Sequence, residues 1–359
     1  MMQGKRREFF AGSNSCYGFW PCFSSIPGKK GVKRLLIKGG PGFGKSTLIK
    51  KIGAYFEKEG MDTEWFRCPS DPDSMDALTV PQADFCIIDA TAPHALVPEQ
   101  ETDEIINLWE FWDPEKQDAA EKAGASAEGE RLDGQYEKWN LRILQQWQRE
   151  ETEWWKTLRG CGLETTVWRE MQEKLDSVRQ ELFFGVEAEE KAVWRHLYAA
   201  GYTPDGIVNL SGKILGEDWK CIVLSGQIQP VLESMMKRLV RECEEKRVYV
   251  ECCHSPLEPQ KVDMLVLPAY KRAVFVRKIG GIDYAAGVNA ADLETVQLEE
   301  GRMKHPELAF MKYAAEDIIT GFLACRRERH QAAEKRYAAA MDYEGLDEVV
   351  GQLLERFGR

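Results

Sequence analysis

The sequence predicts an α/β fold in which parallel β-sheets and helices form two similar units in tandem. Three observations predict it: a pattern of apolar runs, turns and helical periods occurs twice, a glycine-rich string lies between a strand and a helix, and 359 residues exceed one ordinary core. Short apolar runs that alternate with helical periods are typical of sheets covered by helices. The sequence after each unit has a helical pattern, so we also expect helical hairpin segments there.

The repeat keeps one register through a turn, a helix and two strands. Its apolar runs are residues 32–37, 63–68 and 85–88 in the first unit and 222–224, 248–253 and 273–276 in the second. An offset of 187 relates Gly39 to Gly226, Pro69 to Pro256, Pro72 to Pro259, Asp76 to Asp263, Leu78 to Leu265 and Pro81 to Pro268. Upstream, Phe10 and Gly18 match Tyr198 and Gly206 at an offset of 188, so each unit begins before its first long strand.

These patterns divide the chain into four parts. Residues 1–112 form the first unit and 196–300 the second, with helices over 301–359. Between the units, 113–195 opens with a stretch to residue 135 that is almost free of large apolar side chains and predicts a mobile loop. A helical pattern then extends from residue 136 to 200.

Composition and charge narrow the classes of partner. The formal charge of −11 at pH 7 gives a surface that on average repels phosphate backbones and anionic lipid, so we expect neither nucleic acid nor membrane as a partner. Ten cysteines in a chain long enough to build a core predict free thiols and a cytoplasmic protein. Cys252 and Cys253, beside His254, are interpreted as buried thiols rather than as a metal site.

The strongest motif fits G-x-x-x-x-G-K-[ST] and consists of Gly39, Gly40, Pro41, Gly42, Phe43, Gly44, Lys45, Ser46 and Thr47. It lies between a predicted strand and a predicted helix, where glycines allow backbone N–H groups to converge on a phosphate at the helix N-terminus. We expect Lys45 to contact the β- and γ-phosphates, Ser46 to bind Mg²⁺ and Thr47 to lie near the α-phosphate. The string predicts a P-loop that binds a Mg-nucleoside triphosphate.

A second predicted feature is an acid at the end of a buried strand. Residues 85–88 are apolar and Asp89 follows them, which is the form of a Walker B segment that directs a carboxylate to Mg²⁺. Alone this signal is weak, because apolar runs ending in Asp are common. Ala90 stands where many ATPases have a second acid, so the group that activates water must come from elsewhere.

Two strand-end loops offer candidates for that group. We predict Asp71 and Asp73, in the loop 68–76, as catalytic carboxylates that orient water, and the alternative is an ordinary turn and helix N-cap. Asp76 recurs as Asp263 and is interpreted as structural. His94, in the following loop, either senses charge near the γ-phosphate or is a surface residue.

The second unit lacks these groups. Val231, Leu232, Glu233 and Val276 stand opposite Gly44, Lys45, Ser46 and Asp89. Leucine cannot neutralise a phosphate and glutamate repels it, so we expect a pseudo-site. The alternative, in which Arg272 or Arg277 of this unit reaches the first site, is less favoured than solvated charges. The basic helix around His330 and Glu334 is also interpreted as a solvated face rather than a phosphate or metal site.

The residues resemble the uncharacterised bacterial tandem P-loop ATPases, which have two P-loop NTPase units in one chain. The resembling segments are 10–14, 39–47, 68–76, 89–94, 103–108 and 340–342. The resemblance implies nucleotide binding at the first P-loop and ATPase activity. The second P-loop, which in that family is commonly intact, is degenerate here.

We therefore expect an ATP hydrolase that acts as a conformational switch, with ATP and Mg²⁺ as cofactors. Two alternatives stay open: a kinase that transfers the γ-phosphoryl group to a small molecule, and a non-catalytic nucleotide-binding scaffold. The sequence contains no N/T-K-x-D string, which weakly favours ATP over GTP. It identifies no protein partner.

Overall fold

The structure is a computed structural model, and it describes most of both predicted units. The described residues are 4–27, 31–94, 96–99, 101–116, separate positions between 138 and 162, 164–188, 194–226, 229–278, 281–298 and 306–357. For residue 278 and for residues 306–315 the description covers the backbone alone. Of the stretch 113–135, for which the sequence predicts a mobile loop, residues 117–135 lie outside the described residues.

The first unit is built on a mixed sheet with strand order β1-β5-β6-β7-β4-β8. Helix α1 (Lys45–Lys58) follows β4 directly. The remaining strands β2 and β3 form a separate antiparallel hairpin. The strand bounds are β1 Arg6–Phe10, β2 Gly12–Ser15, β3 Gly18–Pro21, β4 Lys33–Lys38, β5 Thr63–Cys68, β6 Asp71–Val80, β7 Phe85–Asp89 and β8 Glu104–Asn107.

The second unit repeats this strand order as β9-β13-β14-β15-β12-β16, with β10 and β11 as the hairpin. Its strands are β9 Trp194–Leu197, β10 Ala200–Thr203, β11 Gly206–Asn209, β12 Lys220–Gly226, β13 Val250–His254, β14 Val262–Leu267, β15 Arg272–Lys278 and β16 Asp292–Gln297. The helices beyond α1 are α2 Glu164–Leu182, α3 Ser211–Ile214, α4 Gln229–Lys246, α5 Pro306–Ala338 and α6 Tyr343–Phe357.

The expectation of parallel sheets is wrong for one strand in each unit. β6 runs antiparallel to both β5 and β7, and β14 runs antiparallel to β13 and β15. The connection from β5 to β6 is two residues long, and so short a link can join antiparallel strands but cannot cross over to a parallel one. Both sheets are therefore mixed, with parallel pairs such as β4 with β7 and β12 with β15.

The helical pattern predicted over residues 136–200 is also wrong in its last part. Helix α2 ends at Leu182, and β9 and the start of β10 occupy residues 194–197 and 200. Trp194, Arg195 and Leu197 pair as strand residues with β13. Tertiary pairing with β13 overrides the local periodicity in this segment.

Each sheet packs one face against helices and the other face against the second sheet. Leu35 and Ile37 of β4 lie in a core with helices α1 and α6, whereas Leu36 between them lies in a core shared with Val223 and Phe275 of the second sheet. Helices α2 and α4 cover the far face of that sheet. The period of two along each strand thus gives a helix–sheet–sheet–helix arrangement.

Equivalent residues of the two units meet where the edge strands approach each other. The backbone N–H groups of Phe10 and Tyr198 each donate to the other residue's carbonyl, both at 3.0 Å. Nearby, Arg7 and Arg195 are equivalent residues, as are Glu64 and Glu251. Arg7 Nη2 lies 2.6 Å from Glu251 Oε2, and Arg195 Nη2 lies 2.9 Å from Glu64 Oε2. The reciprocal pairs relate the units by an approximate two-fold axis.

None of the helices in the described residues is both long enough and apolar enough to cross a membrane.

Candidate functional site

The glycine-rich string forms the loop between β4 and α1. Gly42 and Gly44 have positive φ angles of 75° and 80°, which a side chain at Cβ disfavours. A Cβ atom at residue 42 would also lie 2.3 Å from the carbonyl oxygen of Glu334 in α5, so close approach of that helix requires glycine. Gly44 is the N-cap of α1, and the loop therefore turns directly into the helix N-terminus.

Some of the other residues of the string pack in the core, and others line a cavity. Phe43 is fully buried and its ring packs on Trp109, 4.7 Å away between ring centroids. A Cβ atom on Gly40 would lie 2.9 Å from the Phe43 ring, and one on Gly39 would lie 3.0 Å from it. The members of the string that help to line a cavity of about 730 Å³ are Pro41, Gly42, Phe43, Gly44, Lys45, Ser46 and Thr47.

Lys45, Ser46 and Asp89 lie together at the floor of this cavity. Lys45 Nζ donates to the carbonyls of Gly39 and Gly40 at 3.1 and 2.7 Å, and it is 3.7 Å from Asp89 Oδ2. Asp89 Oδ1 accepts from the Thr91 N–H at 2.9 Å. β4 and β7 are adjacent parallel strands, and this pairing brings their carboxyl ends to one edge of the sheet.

Ser46 is held by the neighbouring strand. Its Oγ accepts a hydrogen bond from the Met75 N–H of β6 at 2.9 Å. The hydroxyl keeps a second lone pair, and it lines the same cavity as Asp89. Both side chains predicted to bind Mg²⁺ therefore face one space.

Asp71 and Asp73 belong to the start of β6, so their prediction as loop residues is wrong. Asp71 lines the cavity, and its Oδ2 accepts from the Ser74 hydroxyl at 2.6 Å. Asp73 is exposed and does not belong to the described lining, although its backbone carbonyl accepts from Lys50 Nζ at 2.5 Å. Residues two apart on a regular strand face the same side. Here the register of β6 shifts between the pairs Arg67–Met75 and Cys68–Asp71, and Asp73 lies within that irregular stretch.

Asp76 and His94 are site residues that sequence reasoning undervalued. Their side chains are 6% and 8% exposed, and His94 Nε2 lies 3.6 Å from Asp76 Oδ2. Burial raises the pKa of Asp76 to about 6, although His94 opposes this. One atom each of Asp76, Asp89 and His94 lies within 4.8 Å of the others. The recurrence of Asp76 as Asp263 suggested a structural role, and no local signal linked residue 76 to residue 94.

The roof of the cavity comes from the C-terminal helices, which the sequence suggested would be solvated. Arg326, Arg327, His330 and Lys335 of α5 line the cavity. The Tyr343 hydroxyl, at the start of α6, donates to the Gly42 carbonyl at 2.8 Å. His330 keeps a 57% exposed side chain, so the basic face is partly solvated and partly turned to the glycine-rich loop. Cationic side chains thus face the N-terminus of α1 across the cavity.

Among the described residues of the second unit, an ion pair occupies the place equivalent to the Ser46 side chain. Lys261 Nζ lies 2.5 Å from Glu233, which stands opposite Ser46, and 2.8 Å from Glu258. Asp263 Oδ2 accepts from the Tyr284 hydroxyl at 3.2 Å. The cavity lined by these two residues has a volume of about 20 Å³, which is room for about one water.

Three groups considered from the sequence lie elsewhere. Arg272 donates to the carbonyl of Leu182 at 3.0 Å, and Arg277 pairs with Asp283 at 3.1 Å; neither lines the cavity of the first unit within the described residues. Cys252 and Cys253 are buried free thiols.

No protein-family model, curated protein sequence or solved structure matches this chain, so the fold and the geometry of the cavity carry the functional argument alone.

Proposed function

We propose that the chain binds a Mg-nucleoside triphosphate, with ATP favoured, at residues 39–47 and hydrolyses it as a conformational switch. The observation that carries the proposal is the glycine-rich loop itself: a strand–loop–helix turn with two left-handed glycines, whose Lys45 ammonium lies at the mouth of a helix N-terminus inside a cavity of about 730 Å³. Backbone N–H groups and the helix dipole favour an anion at that position.

The charges around the loop support a phosphate ligand. Lys45 now donates to two loop carbonyls, and a phosphate oxygen would replace these acceptors by stronger, charge-assisted ones. Arg326 and Lys335 line the opposite wall, so a polyanion would be contacted from two sides. Ser46 and Asp89 supply the oxygen ligands that Mg²⁺ prefers.

Hydrolysis requires a group that orients water in line with the γ-phosphate. Asp71 is the favoured candidate because it lines the cavity, whereas Asp73 loses support because its side chain is exposed and outside the described lining. Nucleotide-dependent movement would be felt by α5 and α6, since Glu334 and Tyr343 contact Gly42 of the loop. This contact is the physical basis for describing the function as a switch.

Asp89→Asn tests whether the loop binds the phosphates while Asp89 binds the metal ion. We expect the variant to lose most of the gain in nucleotide affinity that Mg²⁺ provides, while affinity measured in EDTA changes little, because the loop amides bind the phosphates and Asp89 serves the ion. Isothermal titration with ATP, with and without Mg²⁺, measures both quantities. Asp218→Asn, an exposed carboxylate of the second unit, is the matched control. Equal loss in both assays would mean that Asp89 is structural.

Turnover assays separate hydrolysis from phosphoryl transfer. We expect release of inorganic phosphate from ATP without any acceptor. Turnover that appears only with a small-molecule acceptor would replace the switch by the kinase alternative. Binding without turnover under either condition would leave the non-catalytic scaffold.

A further inference from the structure

Beyond nucleotide binding, the cluster of Asp76, Asp89 and His94 has the composition of a metal site. We propose that it binds a divalent transition-metal ion of the Mn²⁺, Fe²⁺ or Zn²⁺ class, directly and without nucleotide. One oxygen or nitrogen atom of each of the three residues lies within 4.8 Å of the other two.

The tautomer of His94 is the first argument. His94 Nδ1 lies 2.9 Å from the carbonyl oxygen of Asp89. A carbonyl oxygen can only accept, so Nδ1 carries the hydrogen, and whenever the ring is neutral its lone pair is on Nε2. Nε2 is the atom that faces Asp76 Oδ2 at 3.6 Å. Donation from the second ring nitrogen to a backbone carbonyl is the arrangement that orients metal-bound histidines.

The unpartnered oxygen of Asp76 is the second, independent argument. Asp76 Oδ2 is buried and has no hydrogen-bond partner, although a buried carboxylate oxygen without one is costly. The 3.6 Å separation from His94 Nε2 is too long for a hydrogen bond. With a neutral ring, two lone pairs face each other across this gap, and a bound cation would satisfy both.

The second unit shows what happens to the same carboxylate when the other ligands are missing. The positions that correspond to Asp89 and His94 are Val276 and Gly281. There, Asp263 Oδ2 accepts a hydrogen bond from Tyr284. The aspartate with potential co-ligands has an unsatisfied oxygen, and the aspartate without them has a hydroxyl partner. Burial alone thus does not account for the unsatisfied state of Asp76.

The ligand chemistry distinguishes this ion from Mg²⁺. Imidazole suits Zn²⁺ and Fe²⁺, and carboxylates suit Mn²⁺ and Mg²⁺, so one nitrogen with two carboxylates favours a transition-metal ion over Mg²⁺. Lys45 Nζ donates to the Gly39 and Gly40 carbonyls and lies 3.7 Å from Asp89 Oδ2, which is beyond hydrogen-bond distance. Phe23 packs on the His94 ring at 4.2 Å and limits its rotation. Three protein ligands leave positions open for water or a substrate oxygen.

Titration of the EDTA-treated full chain with Mn²⁺ in the absence of nucleotide tests the proposal. Electron paramagnetic resonance measures free Mn²⁺, and we expect one ion bound per chain, displaced by Zn²⁺ but not by an equal concentration of Mg²⁺. Spin-echo modulation from a coordinated ¹⁴N nucleus is expected in the wild type and absent in His94→Gln. Both His94→Gln and Asp76→Asn should weaken binding at least tenfold, whereas Asp263→Asn, the matched control in the second unit, should not change it.

Several results would overturn the proposal: no Mn²⁺ bound, displacement by equimolar Mg²⁺, or unchanged binding in correctly folded His94→Gln. If Asp76→Asn does not fold, His94→Gln and the nitrogen signal still decide. ATP affinity measured in EDTA reports the proposed nucleotide site separately, because no metal is present in that assay. Failure of one proposal therefore leaves the other open to its own test.

Discussion

The two units share a strand order but differ in the region that contains the cavity in the first unit. In the first unit, Lys45 of α1, Asp76 of β6 and Asp89 at the end of β7 face a cavity of about 730 Å³. In the second unit the corresponding region holds a Glu233–Lys261 ion pair, and the cavity beside Asp263 has about 20 Å³. The backbone arrangement is thus compatible with an open polar site and with a packed core, and a few side chains decide between them. Function is a property of those residues rather than of the fold.

At the interface between the units, equivalent substitutions in the two units should lower stability by equal amounts. Arg7, Arg195, Glu64 and Glu251 form a buried cluster across the approximate two-fold axis. Glu251→Gln should lower the free energy of unfolding by about 3 to 5 kcal/mol, because it leaves two guanidinium groups with one acid. Glu64→Gln should cost a similar amount, and urea denaturation measures both. A large difference between them would break the symmetry argument.

The same cluster predicts a dependence of stability on pH. Burial raises the pKa of Glu64, but attraction to Arg195 and Arg7 outweighs it and holds the pKa below its usual value. A carboxyl whose pKa is lower in the folded state stabilises the fold above its unfolded pKa, near 4.3, and loses that contribution as the pH falls through the folded value. Unfolding free energies should therefore drop below about pH 4.3, and the drop should be smaller in Glu64→Gln.

Nucleotide binding should reside in the first unit alone. We expect Lys45→Ala to abolish the thermal stabilisation by Mg-ATP, which amounts to about 2.7 kcal/mol at 100 times Kd. The matched control is Leu232→Met, since Leu232 corresponds to Lys45 but is fully buried and a volume-conserving change keeps its packing. Differential scanning fluorimetry with ATP compares them. Two nucleotides bound per chain would contradict the idea of a filled second site.

Asp71 and Asp73, for which the sequence predicts the same role, should differ in their contribution to turnover. Asp71→Asn should lower turnover at least tenfold, about 1.4 kcal/mol of barrier, with nearly unchanged affinity. Asp73→Asn should have a much smaller effect, because its side chain is exposed and outside the described cavity lining. Steady-state phosphate release measures both. Normal turnover in both variants would direct attention to the basic residues of α5.

The smallest expected effect concerns the contact of α6 with the loop. Tyr343→Phe removes the hydrogen bond to the Gly42 carbonyl, which is worth about 0.5 to 1.5 kcal/mol in general. Tyr343 is exposed, so we expect a loss of free energy of unfolding near 0.5 kcal/mol. Tyr337, a half-buried tyrosine that packs on Phe43, provides the comparison: Tyr337→Phe should keep that ring contact. A larger loss of free energy of unfolding in Tyr337→Phe than in Tyr343→Phe would show that ring packing is not the main role of Tyr337.

Local patterns in the sequence predicted local structure well. The strand, the glycine-rich turn and the helix that starts at Lys45 lie where the motif predicts them, and Asp89 ends a buried strand as expected. The direction of β6 was missed because apolar alternation reports burial and carries no information about strand direction. The pattern of residues 194–200 predicts helix, but pairing of residues 194–197 with β13 overrides so short a periodic pattern.

The chemistry available to the protein can be read from local motifs: one glycine-rich loop with its lysine, one strand-ending aspartate, and a second copy of the unit without them. Which distant groups join that loop depends on tertiary packing. Asp76 and His94 meet across two strands, and Tyr343 reaches Gly42 over a separation of 301 residues. The physical reason is that motifs arise from the short-range geometry of strands and helices, whereas such contacts depend on how whole faces pack against each other.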